Sequence, residues 1–537
     1  MSLLTTLARL EAVRSGRAQP LATVRHRHLA ERPFVLVPLT AAGETGAPLA
    51  ALLGCDRERP VLLTVPQPLD RDLRFAFLAR LADELLPYLE GFGESVELIE
   101  RTGKDPESGE RTTEIRELCA EAPQLIVPNQ GGIEWLGVLG RSMRFRRTAE
   151  DADPGPFPAP PRVPLLGRWL THLAERAQVP GSSLLLPLTG VLARHWATGQ
   201  SSLEDAHLGA LLGWIAPPDG ERGESAALRA ENGRDAQGQL VCPPAGPATD
   251  PDFDRAVLGP AITRYDAARD AARVARDGAA AQGVDDADEA KDFNDLSGES
   301  ADRALAAHVV AARAAEIDAL LEAVLLPVWQ QVWQGIDLLR TLPPGAHVAE
   351  RWEGDRWSYT GHRDRLAAGE PPQPIRDDAV TAARKLAQRE REQTRLDLQE
   401  ALDDPLAMAE HRLAGQAFAG EVVSVEPAYD TSGRSPKPRP LVTVRTADRP
   451  HVEAGSELHR ANGPSAQKAE LAGVDEAAGL LTVRLLSGMG RKKEPEPRSV
   501  PEPGDQVCFT LFELSARQSA PLPEPEDTPW THGGPPQ

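Results

Sequence analysis

Apolar positions follow three different rhythms along this chain. From about residue 30 to 148, short runs rich in Val and Leu alternate with stretches of helical spacing. Phe34 to Pro38, Val61 to Pro66 and Leu125 to Pro128 each end in Val-Pro, and runs this short, flanked by Pro, fit buried strands. Between the second and third, Leu73, Phe77, Leu81, Leu85 and Leu89 recur every fourth residue, which marks one face of a helix. A second helix is expected over Ile133 to Met143. Strand, helix, strand, helix predicts a mostly parallel α/β domain over residues 1–150. The polar insert from Arg101 to Thr113 reads as an exposed loop.

The middle of the chain is helical in rhythm and interrupted by Pro, Gly and charge. A Pro-rich segment, 151–164, reads as a linker or wrapping segment. Helices are expected at Leu165 to Ala177, Ser183 to Ala197 and Leu203 to Trp214, with Trp169, Trp196 and Trp214 anchoring a small helical core in 151–218. Residues 219–300 read as a largely irregular acidic linker with one helix, Phe253 to Arg276, and a solvated or disordered run at 284–295. A helical region, 301–414, follows. Its apolar face runs through Ile317, Leu320, Val324 and Leu325, and Pro327 should kink or restart it. Residues 347–361 suggest a hairpin turning at Glu353-Gly354-Asp355.

A long charged helix, Asp377 to Leu402, then forms a rod. Its Arg389 to Arg395 turn lacks any apolar residue, so it is exposed on all sides or crosses between domains. Asp404-Pro405 restarts a short helix, with Asp as N-cap and Pro at the first position. Beyond Gly415 the period becomes two. Strands are expected at Phe418–Val425, Leu441–Thr446, Leu480–Leu486 and Val507–Leu514, with His451–Ala454 as a short fifth. Short strands with Gly/Pro turns predict a small closed β-barrel over 415–515, followed by a disordered tail, 516–537. The fold class is therefore multidomain: α/β, then α-helical, then all-β.

This last quarter resembles the stalk and accessory β-barrel of superfamily 1 helicases of the RNA-surveillance type. The resemblance rests on the rod ending near Leu413, the opening strand GEVVSV (420–425) and the closing PEPGDQVCFTLFEL (501–514). It implies a barrel that contacts nucleic acid or a partner. The chain departs from such helicases by lacking a GxxxxGK[ST] phosphate loop, so it carries no evident motor. A partner protein, an NTPase or helicase among the candidates, would supply one.

Charge narrows the field. The chain carries a net charge of −21, which opposes nonspecific binding to phosphates. From Ala417 to Glu513 there are 12 Lys and Arg against 14 Asp and Glu, so the barrel is close to neutral. Arg434, Lys437, Arg439, Arg491, Lys492 and Lys493 fall in two predicted loops; if the loops meet, they form a basic patch for nucleic acid or a partner. Four scattered cysteines without a CxxC pair point to a reducing cytoplasm rather than a zinc knuckle. The N-terminal segment reads as an amphipathic helix, not a signal peptide. No run approaches 18 apolar residues, so no membrane contact is expected.

Candidate chemistry is sparse. VPNQGG (127–132) leaves a strand and opens a helix at a sheet's carboxyl edge, where ligands bind. Asn129, Gln130, Gly131 and Gly132, with Gln67 from the neighbouring strand end, form a candidate site for an anionic small molecule. RTGKD (101–105) lacks a preceding strand and is not a phosphate loop. Asp286, Glu289 and Lys291 resemble a nuclease constellation but lack rigid strands to hold a metal. His172, His195 and His207 lack HExxH spacing and read as helix-surface residues. His26 and His28 sit among arginines, which disfavours a cation. No catalytic residue, metal or cofactor is assigned. The expected role is a noncatalytic cytoplasmic subunit or adaptor that docks a protein partner through rod and barrel. The alternatives are an enzyme at the N-terminal sheet edge, and nucleic-acid binding by the barrel loops.

Overall fold

The computed structural model describes residues 3–42, 46–104, 111–201, 206–281, 298–432, 436–463, 467–490 and 494–514. Its body is a five-stranded sheet in the order Val61–Thr64, Pro48–Gly54, Phe34–Thr40, Leu125–Val127, Leu185–Pro187. The central strand, Phe34–Thr40, is buried throughout, and its alternate residues feed two cores. Phe34 and Leu36 join Phe77, Leu81, Trp135 and Trp169 on one face. Val35, Val37 and Leu39 join Leu211, Trp329 and Ile336 on the other. Apolar residues at every position from Phe34 to Leu39 mean that both faces need cover. Helices Arg71–Gly91, Gln130–Met143 and Val163–Arg176 cover the first, and Leu208–Ile215, Gly259–Ala281 and Gly298–Arg340 cover the second.

The sheet is mixed rather than mostly parallel. Pro48–Gly54, which the pattern did not reveal, lies antiparallel between Phe34–Thr40 and Val61–Thr64. The Leu125 and Leu185 strands add in parallel. PLAALLG reads as helix by propensity, but burial between two neighbours decides in favour of strand.

Other expectations also give way to packing. Residues 347–361 belong to helix Val348–Ala367, not to a hairpin. Its buried Val348, Trp352, Asp355, Tyr359 and His362 are spaced alternately four and three apart, which is one helix face. Arg101 to Thr113 is not a loop. Val96–Lys104 pairs antiparallel with Arg111–Cys119 as a two-stranded ribbon, and 105–110 lie outside the described residues. Ser183 to Ala197 opens as the sheet strand Leu185–Pro187 before it becomes helix Leu188–His195. The helix does not restart at Pro327, which lies inside one 43-residue helix with buried Leu325, Val328 and Trp329 on its flanks.

The three tryptophans do not share a core. Trp169 packs in the first cluster, Trp196 against the second, and Trp214 beside Ala12 of helix Leu3–Ser15. Phe253, Leu258, Ala261 and Tyr265, expected in or beside linker, belong to the second core. His172 and His195 are buried rather than surface residues. The acidic run 284–295, with Asp286, Glu289 and Lys291, and the tail 516–537 lie outside the described residues.

The rod is helix Ala379–Asp403, and Asp378 caps it by accepting from Thr381 N. Asp404 caps Pro405–Leu413 as expected. The barrel closes with six antiparallel strands in the order Ala417–Glu426, Leu441–Arg445, Leu480–Leu485, Gln467–Asp475, Glu457–Arg460, Gln506–Thr510. His451–Ala454 is not one of them; Glu457–Arg460 and Gln467–Asp475 complete the wall. Closure brings the first strand so near the second that a β-carbon on Gly420 would sit 2.1 Å from the Arg445 carbonyl oxygen. Among the described residues no helix is long and apolar enough to cross a membrane.

Candidate docking site

The sheet edge comes first, because four of its five candidate residues do gather. Asn129 caps helix Gln130–Met143: its Oδ1 accepts from Gly132 N at 3.3 Å and its Nδ2 donates to Gly246 O at 2.8 Å. The chain itself lies over this helix start. Thr40 N donates to Pro247 O, and Thr249 N donates back to Thr40 O, so residues 247–249 extend from the end of the central strand. A β-carbon on Gly131 would meet Pro247 Cδ at 2.7 Å. Gln130 is exposed. Gln67 follows the edge strand, two strands from the central partner of Leu125–Val127. Its amide donates to Asp266 at 2.6 Å, toward helix Gly259–Ala281. The space a ligand would use above Gly131 is filled by Pro247.

The barrel is solid. Phe418, Val442, Val444, Leu458, Leu471, Val483 and Phe509 fill its interior with no exposed surface. Phe418 and Phe509 stack at 5.5 Å inside it, so neither can serve as a stacking platform for a base. On the wall, Lys468 pairs with Glu457 at 2.7 Å and Arg484 with Glu470 at 3.9 Å. Lys437 and Arg439 sit beside Asp430. That carboxyl is held below its usual range, chiefly by hydrogen bonds from Ser432 and further by these two cations. Arg434, Arg491, Lys492 and Lys493 lie outside the described residues.

What positions barrel and rod is an elbow of two buried aspartates. Asp403 ends the rod and Asp404 opens the next helix, and neither side chain is exposed. Asp403 accepts from His347 N at 3.1 Å, and His347 Nδ1 lies 2.5 Å from its other oxygen. Asp404 accepts from Thr23 N at 2.7 Å, Thr23 Oγ1 at 3.0 Å and Leu406 N at 2.9 Å, with His26 Nε2 at 3.5 Å. Burial opposes ionisation of Asp404. The hydrogen bonds from His26, Leu406 and Thr23 outweigh it and hold the carboxyl down at about 2. Burial likewise opposes Asp403, and His347 brings it below the usual range.

The rest of the elbow is equally tied. Arg351 donates to Gln399 Oε1 at 2.8 Å and to His26 O at 3.0 Å, and Arg194 pairs with Glu400 at 3.0 Å. His195 accepts from His26 N and faces Val191 O at 2.7 Å. Burial, aided by neighbouring His26 and Arg27, pushes its pKa down to about 4, against the Val191 carbonyl. Beyond the elbow, Arg412 makes two hydrogen bonds to Asp448, at 2.7 and 3.0 Å, and Asp448 also accepts from Ala419 N. Met408, Ala401 and Ala417 pack between them. Body, elbow and barrel are thus joined by a continuous set of contacts, buried at Asp403 and Asp404 and partly exposed at Arg194 and Arg412. The rod is most exposed from Thr381 to Arg395, where every residue is exposed or half-buried, Leu386 is 58% exposed and Arg395 reaches back to Glu350.

Sequence reasoning found Asp404 as a cap but not as an anchor. Asp403, His347 and Thr23 carried no local signal. Compared with known proteins, the chain matches no family model, no curated protein and no solved structure.

Proposed function

We propose that this chain is a noncatalytic adaptor that holds its rod and barrel in one geometry for a partner protein. The observation that carries the reading is the elbow. Burying two carboxylates is costly unless donors meet them, and here that cost is offset where rod, body and barrel join. A joint built this way fixes direction, and what it directs is an uncovered charged helix and a wall of paired charges. Such a wall suits a protein surface better than a polyanion, which needs unpaired cations. The partner class is an NTPase that acts on nucleic acid; support for that class is the layout of rod and barrel described from the sequence.

The test is affinity capture from native cells at moderate salt, with cross-linking, beside a chain ending at Leu413. The expected result is a stoichiometric partner that cross-links to 381–395 and to the barrel and is lost on truncation. A partner retained by the truncated chain, or full-length protein recovered alone, would sink the adaptor reading.

A further inference from the structure

The ribbon Val96–Lys104/Arg111–Cys119 is an anomaly for a monomer. Each strand has nine residues, so the ribbon reaches about 30 Å. Among the described residues neither outer edge pairs with another strand. Two strands alone are marginal in water, and open edges invite pairing with another chain. Val96, Leu98 and Ile115 are 41%, 71% and 64% exposed. The register places Leu98 opposite Glu117 and Glu100 opposite Ile115, so Leu98 and Ile115 share one face.

The direction of the free hydrogen-bonding groups follows from Cys119. Its N–H donates to Thr360 Oγ1 at 3.0 Å, and its carbonyl accepts from Arg356 Nε at 2.8 Å. Both groups therefore point away from the companion strand. Direction alternates along a strand, so Glu117, Ile115 and Thr113 also aim their N–H and C=O groups outward. Helix Val348–Ala367 covers this edge at Cys119 and reaches the Glu117 side chain through Arg363 at 3.7 Å, while among the described residues no strand pairs with the outward backbone groups of 113–117.

We infer that this edge pairs antiparallel with the same edge of a second copy, about a two-fold axis through Ile115. A two-fold interface requires a surface complementary to itself, and this strand is. With Ile115 opposite Ile115, Glu114 of each copy meets Arg116 of the other, and Thr113 meets Glu117. Each outward-facing pair exchanges both backbone hydrogen bonds. Within one chain Glu114 and Arg116 already form an exposed pair at 2.6 Å, and the dimer exchanges that partner for its equivalent. The opposite edge is less suited, because centred on Glu100 it would set like charges face to face. The product is a four-stranded sheet with Ile115 and Leu98 of both copies on one face. An adaptor assembled in this way carries two arms.

The test is sedimentation and light scattering of the full chain across nanomolar to tens of micromolar concentration. The expected result is a concentration-dependent rise from 57.8 kDa to twice that mass. Ile115→Pro removes an outward N–H and leaves the ribbon's own ladder intact, as Pro does on edge strands; it should weaken the dimer at least about tenfold. Glu114→Arg sets Arg against Arg twice and should weaken it about tenfold. Adding Arg116→Glu restores complementarity and should return the affinity to within about threefold of wild type. The charge exchange keeps the test sharp if the proline variant fails to fold. A monomer throughout, or a dimer indifferent to both Ile115→Pro and Glu114→Arg, overturns the inference.

Discussion

The elbow and the ribbon treat their surfaces in opposite ways. At the elbow, Asp403 and Asp404 are wholly buried and each accepts from donors on a distant segment. In the ribbon, Leu98 and Ile115 stand in water and, among the described residues, the outer backbone edge at 113–117 has no strand beside it. A folded chain normally buries apolar groups and leaves carboxylates outside. Where it buries acids at a joint, geometry is being held; where it exposes apolar side chains on an unpaired strand, a contact is missing. Stability should therefore respond at the elbow, and association at the ribbon.

The largest effect is expected from Asp404→Ala. It leaves Thr23 N, Thr23 Oγ1 and Leu406 N without their acceptor, and His26 Nε2 without the carboxylate 3.5 Å away. Breaking such a buried group costs about 3 kcal/mol, to be read as a shift in urea midpoint with the slope unchanged. Limited proteolysis should also open the chain between rod and barrel. Gly131→Ala comes next. Its β-carbon meets a proline ring that cannot swing away, so overpacking of about 1–3 kcal/mol is expected. A neutral Gly131→Ala would mean that Pro247 does not hold the sheet edge, and the ligand reading of 129–132 would gain.

How much of this could be read in advance follows the range of each interaction. The barrel was legible because alternation and Gly/Pro turns are local signals. Half of the elbow was legible for the same reason: Asp404-Pro405 announces a helix start within two residues. Its other half was not, because Thr23 lies 381 residues away. The cover over the sheet edge was hidden for the same reason, since 127–132 looks like an open strand-to-helix turn until Pro247 arrives from another part of the chain. The ribbon was hidden differently. The sequence between its strands, DPESGE, is so polar that it drew the flanking residues into an expected loop, although Val96 and Leu98 alternate with Glu97. The helix at 348–367 was lost to Gly354 and Asp355, which read as a turn, while its four-and-three spacing stood in plain view.

Acid separates the elbow from other ion pairs. The folded pKa of Asp404 is depressed to about 2, below that of an unfolded Asp near 3.9. The unfolded chain therefore takes up the proton first. The contribution is complete above about pH 5 and fades as pH falls from about 4 toward 2. Unfolding curves of wild type and Asp404→Asn should stand furthest apart at neutral pH, and should converge by about 1–2 kcal/mol on acidification. A gap that stays constant across this range would show that Asp404 acts by shape and not by charge.

The smallest effect on stability is expected where the exposed apolar surface is largest. Leu98→Ser removes an isobutyl group that is 71% exposed, so little burial is lost and the unfolding midpoint should move by less than about 0.5 kcal/mol. If the ribbon is a contact surface, the same change should still weaken self-association, because Leu98 lies on the face that Ile115 shares. A substitution silent in the melt but visible in the sedimentation profile places the function of that side chain outside its own fold. One that destabilises the monomer instead would mean that the ribbon is covered from within, and the contrast with the elbow would dissolve.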